Sequence, residues 1–288
     1  MPLTMIKGTY RIVGAAPDGD SVRFYPDDPH AFEAAGINAR VNSRGGAQLR
    51  LDGIDALETH YQPPSSHRTW HQPSQLGEKA SAALLGHLGF TAVARDADGV
   101  VTSSTPEETP GYVLTRFADK YGRVVSFAFR GSRRARADNQ AWLDVTALKA
   151  SANYRLLAEG LVYPTFYSLL YPDLREALAS AALAARASAT GVWAEDATLS
   201  GFTLRSRAQL ETETVLLPKL FRRLAEYLGL DNTGNVSLAQ FDRFLAAHDD
   251  RLFTVPDGHA TSLDSLVVIT RQTVTLTVPP ERIIFLEA

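Results

Sequence analysis

Four acidic residues fall in two tight clusters, Asp18 and Asp20 in DGDSV and Asp55 and Glu58 in RLDGIDALET. Carboxylates brought together repel one another unless a cation holds them, and an all-oxygen donor set suits calcium or magnesium. Read alone, either cluster is also ordinary turn chemistry on a solvated surface, because Asp-Gly is a common turn. Arg50 stands five residues before Asp55, and Asp119-Lys120-Tyr121-Gly122-Arg123 sets a second arginine behind a glycine turn with a tyrosine beside it. Guanidinium forks next to a carboxylate cage are what a phosphodiester reaction needs, since they hold phosphate oxygens and stabilise the charge developing on them. Taken separately, each arginine is equally suited to a surface salt bridge.

The elements that must position these groups are short strands. Tyr10 to Val13 ends at the Pro17-Asp18-Gly19 turn signal, and Ser21 to Tyr25 alternates after it, which predicts a hairpin. Ala47 to Leu51 puts Leu49 and Leu51 on one face and Arg50 on the other. Thr91 to Arg95, Tyr112 to Arg116 and Arg123 to Arg130 add further strands. Five short strands with a few helices suit a small closed barrel better than a parallel sheet. Helical spacing of apolar residues predicts helices over 75–88, 142–160 and 172–190, with long polar loops at 27–46, 59–74 and 96–110 that are either mobile or functional. From residue 201 onward the pattern changes. Leu217, Leu220, Phe221, Leu224 and Leu228 mark an amphipathic helix, and Leu238, Phe241 and Leu245 mark another. Thr273 to Val278 alternates and is expected to pair with Arg282 to Leu286. The division is therefore a domain over 1–200 and a small α+β appendage over 201–288.

Composition narrows the classes. The 288 residues contain no cysteine, which removes disulfides and thiolate zinc sites, and 45% hydrophobic with 21% charged residues is a globular balance. No apolar run approaches the roughly 18 residues of a membrane span, so no membrane partner is expected. Residues 1–7 have no hydrophobic signal core, so nothing visible directs export, and the compartment stays open. Lys plus Arg total 29 against 32 acids, so overall charge does not attract a polyanion. Neither 1–200, with 20 basic and 21 acidic residues, nor 201–288, with 9 and 11, is basic. Any nucleic acid must be held by a local groove, weakly and with strong salt dependence.

The ordered set DGDSV, RLDGIDALET, LGEKAS, DKYGR, LLAEGL and GVW resembles the staphylococcal nuclease (thermonuclease) family and spans about residues 8–196. The resemblance implies an α+β fold, an OB-fold five-stranded β-barrel with helices, carrying the C-terminal appendage. It implies a calcium-dependent, sugar-nonspecific nuclease that hydrolyses single-stranded DNA and RNA to 3′-phosphate products. Residue by residue, it implies that Asp20, Asp55 and the Ala56 carbonyl hold Ca2+, with Asp18 behind them. Glu58 matches the general base, Arg50 and Arg123 the phosphate-binding arginines, and Tyr121 a contact to a terminal phosphate. Tyr163 and Tyr167 fall near two base-stacking tyrosines, where an aromatic packing cluster is the alternative. Leu57 stands where the family often has proline, and the stretches 20–50 and 58–121 are longer than in compact members. The other reading is a barrel that binds nucleic acid or protein without turnover; the complete set Asp20, Arg50, Asp55, Glu58 and Arg123 favours the enzyme.

Three further features are less specific. His60, His67 and His71 follow Glu58 without a metal-binding helical spacing, so a cleft rim is the expected role. Arg130, Arg133, Arg134 and Arg136 crowd one loop, as a phosphate-tracking patch or, more simply, a solvated turn. Residues 228–241 faintly resemble a calcium-binding EF-hand, but glycine and glutamine stand where the end ligands are acidic, so a plain helical connection is expected. The appendage itself is expected to offer a surface for a protein partner or for self-association.

Overall fold

The computed structural model describes residues 2–64, 66, 68–133, 139–231 and 233–287. Five strands, β1 (Pro2–Arg11), β2 (Ser21–Pro26), β3 (Ala47–Leu51), β4 (Glu108–Ala118) and β5 (Val124–Arg130), form a closed barrel. Each pairs with its neighbours in the order β1-β2-β3-β5-β4, and β4 returns to β1, so no edge is left open. The β3–β5 pair is parallel and the others antiparallel, which is an OB-like arrangement in a mixed α+β chain. Alternation decides what each strand contributes. On β3, Ala47, Leu49 and Leu51 are buried in the barrel while Gln48 and Arg50 face outward. The hairpin between β1 and β2 forms as its turn residues predict, with Tyr10 opposite Phe24.

Helices close the barrel and carry the site loops. The helix α1 (Ser74–Leu88) buries Gly77, Ala80, Ser81, Leu84, Leu85 and Leu88 and stops at Gly89 in a left-handed cap. Gly19 lies where a Cβ would come within 2.6 Å of Ala80 and 2.7 Å of Ala56, so only glycine lets the Asp18–Asp20 turn pass between α1 and the Asp55 segment. The expected helix over 142–160 is two pieces, because Ser151 turns out of helical geometry to accept the Tyr154 amide and start α2 (Ala152–Ala158) afresh. Asn153 of α2 is buried. Its amide donates to the carbonyls of Asp52 and Ser126 at 2.9 and 3.0 Å, and its oxygen accepts from Ala128, which fixes the turn before Asp55 against β5. The helix α3 (Pro172–Ala187) follows, with proline in its first turn. Residues 92–95 pair with 101–105 in a separate hairpin outside the barrel.

Residues 201–288 contain α4 (Pro218–Gly229) and α5 (Phe241–His248) and parts of two sheets. The expected pairing of 273–278 with 282–286 does not form. Thr273–Leu276 instead pairs with Val267–Thr270 and Phe202–Thr203, because the two prolines at 279–280 lead into a helical turn rather than a tight hairpin. The other sheet crosses the line at residue 200. Its strands β6 (Phe166–Tyr167), β7 (Arg251–Thr254) and β8 (Ile283–Phe285) are joined by a parallel β6–β8 pair and an antiparallel β7–β8 pair. One continuous apolar core includes the barrel, α3 and the buried face of α4, Leu220, Phe221, Leu224 and Leu228. Each such side chain contributes about 1.5–3 kcal/mol on burial, so α4 is firmly seated. The segment 228–241 is a plain connection between α4 and α5; Asn232 lies outside the described residues. No helix among the described residues is long and apolar enough to cross a membrane.

Candidate functional site

The acidic clusters converge at the ends of β2 and β3. Ser21 at the start of β2 pairs with Arg50 on β3, which sets Asp20 beside the outward face of Arg50. Gly53 takes a positive φ of 78°, and the chain reverses there into the two-residue strand Ile54–Asp55, which pairs with Tyr163–Pro164. Asp20 and Asp55 are both buried, at 2% and 0% exposure. The Arg50 guanidinium bridges them, with Nη1 donating to Asp20 Oδ2 at 2.5 Å and Nη2 to Asp55 Oδ1 at 2.7 Å. Asp20 Oδ2 also accepts the Ala56 amide at 2.9 Å, and Asp18 Oδ1 accepts the Asp20 amide at 3.2 Å. Glu58 follows one turn later, its amide donating to Gln72 Oε1 at 3.1 Å. The predicted residues Asp18, Asp20, Arg50, Asp55, Ala56 and Glu58 therefore lie in one assembly.

A residue that the sequence reading left out completes it. Arg222 projects from α4 into the cluster and is only 19% exposed. Its Nη2 donates to Asp55 Oδ2 at 2.7 Å, its Nη1 to Asp55 Oδ1 at 3.2 Å, and Nη1 also binds Glu58 Oε1. Both oxygens of Asp55 are thus held by guanidinium groups. The appendage grips the neighbouring loop as well. The buried Gln72 donates to the Leu216 carbonyl at 2.8 Å, Tyr61 donates to Glu226, and Arg68 binds Glu211 at 2.6 Å. The loop 59–74 is consequently built into the α4 interface.

Electrostatics follow from this pairing. Burial alone would raise Asp55, but Arg222 and Arg50 outweigh it and hold the carboxyl below the ordinary range. Burial raises Glu58, with Arg222 opposing and Asp55 reinforcing the shift. Asp20 is raised chiefly by burial, against the pull of Arg50. Burial would lower the guanidinium of Arg222, and Asp55 and Glu58 more than reverse this. Three carboxylates thus share two guanidinium charges, and the two acids with the weaker claim on them, Asp20 and Glu58, are the ones pushed toward the neutral form.

Oxygen donors of this kind suit calcium, but their occupancy does not. A divalent ion on Asp55 would have to sit against the guanidinium charges of Arg50 and Arg222, and no group of three or more His, Asp or Glu side chains disposed to share a metal ion occurs among the described residues. The arrangement as it stands does not fit a calcium ion, and no chemical step is routed through one.

The rim is built differently. In the parallel β3–β5 pair Arg50 lies opposite Val125, and Arg123 immediately precedes β5, behind the Gly122 turn. Arg123 Nε donates to Asp119 at 2.7 Å, and its guanidinium lies 5.5 Å from the Tyr121 ring centroid. Tyr121 is 64% exposed. Tyr163 is fully buried, donates to Asp196 at 2.7 Å and packs edge-on against Trp193, so its ring offers no face to a base; the packing alternative describes it. Tyr167 is half-buried beside Phe285, within the electrostatic reach of Arg222. His60 and His71 bond locally, to Thr59 and to the Gln72 carbonyl, while His67, Arg134 and Arg136 lie outside the described residues. No protein-family model matches the chain, and no curated protein does.

Proposed function

We propose that this chain is a phosphodiester hydrolase acting on single-stranded DNA and RNA, with Asp20, Arg50, Asp55 and Glu58 as the core of its site. The observation that carries the reading is the convergence of both acidic clusters on Arg50 at one end of an OB-like barrel, with Arg123 just before the strand that pairs with β3. In this reading Glu58 removes a proton from the attacking water, and burial, which raises its proton affinity, favours that role. Arg50 and Arg123 hold the non-bridging phosphate oxygens as charge accumulates on them. The exposed Tyr121 meets the end of the bound strand. The resemblance to staphylococcal nucleases supports hydrolysis that leaves 3′-phosphates. Because Glu58 is engaged by Arg222, the activity is latent until that contact opens.

One observation favours a second reading. The guanidinium pair on Asp55 satisfies the cluster without any ligand, as a barrel that binds nucleic acid without turnover would do. The two are separated by incubating 5′-labelled single-stranded DNA at low salt with the wild-type chain and with Arg222→Ala, in calcium or in excess chelator. Calcium-dependent cleavage by the Arg222→Ala chain, leaving 3′-phosphate ends and abolished by Glu58→Gln, is the expected result. DNA retention without cleavage by both chains, in calcium and in magnesium, would replace the hydrolase with the binding module.

A further inference from the structure

We infer that Arg222 is the resident cation of the carboxylate cluster: the appendage excludes a divalent ion from Asp20, Asp55 and Glu58, and withdrawing α4 turns that cluster into a cation site. The inference deepens the proposed function by naming what controls its site. Asp55 offers two oxygens, and Arg222 bonds to both while Arg50 shares one. A calcium ion bound by Asp55 must sit about 2.3–2.6 Å from those same oxygens, in the space the Arg222 guanidinium fills. Arg222 and a divalent ion therefore compete for one position, and the structure assigns that position to Arg222.

The contact is built rather than incidental. α4 reaches the cluster as a rigid helix fixed by the burial of Leu220, Phe221 and Leu224. On its flank, Arg223 forms a two-pronged pair with Asp250 at 2.5 and 2.8 Å, and Lys219 joins the same carboxylate at 2.9 Å. Gln72 then links the Glu58 amide to the chain leading into α4. A side chain delivered this way cannot swing aside alone without leaving Asp55 and Glu58 short of their partner. Opening thus requires displacement of the helix. Once Arg222 is gone, the buried Asp20 and Asp55 and the partly buried Glu58 face Arg50 alone, and the cluster demands a second cation.

The test measures calcium binding itself, by calorimetric titration and by the unfolding midpoint, with potassium chloride at matched ionic strength as the blank. The full-length wild type is expected to show no saturable uptake at millimolar calcium. Arg222→Ala is expected to give a single-site isotherm with a dissociation constant of roughly 10⁻⁴–10⁻³ M and a calcium-raised midpoint. Should Arg222→Ala unfold without metal, Arg222→Lys serves instead: it keeps the charge but not the fork, and is expected to bind calcium measurably, more weakly than the alanine variant where both fold. Equal calcium affinity in wild type and variants, or no binding by a folded variant, overturns the inference. A variant that binds calcium but cleaves nothing would leave this inference standing and remove the hydrolase. Wild type that takes up calcium at the cluster and cleaves would do the reverse.

Discussion

The interior cluster and the Arg123–Tyr121 rim contain the same kinds of groups, yet the protein treats them oppositely. Asp55 is buried and the largely covered Arg50 and Arg222 answer it, whereas Arg123 is 38% exposed and Tyr121 stands in solvent with only local contacts. Buried charges are tolerated only when paired, so the interior is committed to the fold as well as to any chemistry. The rim contributes little to stability and is free to meet a ligand. Substitutions in the two regions should therefore separate stability from turnover.

The largest effect is expected at Asp55. Asp55→Ala removes the acceptor for two buried guanidiniums and leaves both charges unmatched, which costs about 3–5 kcal/mol in urea or thermal unfolding. A loss below about 1 kcal/mol would show that water already screens the cluster and would dissolve the contrast with the rim. At Arg123 the opposite is expected. Arg123→Ala lowers turnover by about 10²–10³-fold, measured in whichever of wild type or Arg222→Ala cleaves, because it strips charge from the developing transition state. Its unfolding midpoint should stay within the range of an exposed pair, about 0.2–1 kcal/mol. A stability loss as large as that of Asp55→Ala would place Arg123 with the interior.

The clasp behind α4 is intermediate. Burial would raise Asp250, but Arg223 and Lys219 outweigh it and hold the carboxyl at about 2, below the ordinary value of about 3.9. A depressed acid contributes stability that is complete above its unfolded value and is lost as pH falls toward the folded one. Asp250→Asn should thus cost about 1 kcal/mol at neutral pH after allowance for solvent screening. The gap between wild type and variant should close between about pH 4 and 2, as read from unfolding curves at each pH. A pH-independent gap would mean that the clasp acts through packing and not through charge.

The barrel was legible because β2 and β3 alternate apolar and polar residues, β5 is a short and mostly apolar run, and recognisable turns bound them. Asp20, Arg50, Asp55 and Glu58 were legible because each lies next to such a turn, so local sequence fixes their position. Arg222 was not, because its role depends on a contact 167 residues away in sequence from Asp55. The only local sign was the pair Arg222-Arg223 on an amphipathic helix, a pattern that usually means a solvated face. Clustered carboxylates pointed to a cation, and in this structure the guanidiniums of Arg50 and Arg222 stand against Asp55. For Tyr163 the sequence left base stacking and aromatic packing open, because an aromatic residue carries no local mark that separates the two; the structure packs it edge-on against Trp193. The 273–286 pairing failed because alternation identifies a strand but not its partner.

The smallest expected effect tests the rim at its most exposed point. Tyr121→Phe keeps the ring over Arg123 and removes only the hydroxyl, so stability should not change. If that hydroxyl meets the terminal phosphate of a bound strand, its loss should weaken binding by about threefold to tenfold, the worth of one hydrogen bond at a wet surface. The comparison to make is a 5′-phosphorylated strand against the same strand ending in a hydroxyl, at fixed low salt. A phosphate preference that falls in Tyr121→Phe assigns the hydroxyl to the strand end. If both strands weaken together, the residue supports the groove through ring packing instead, and the rim reads the backbone without reading its terminus.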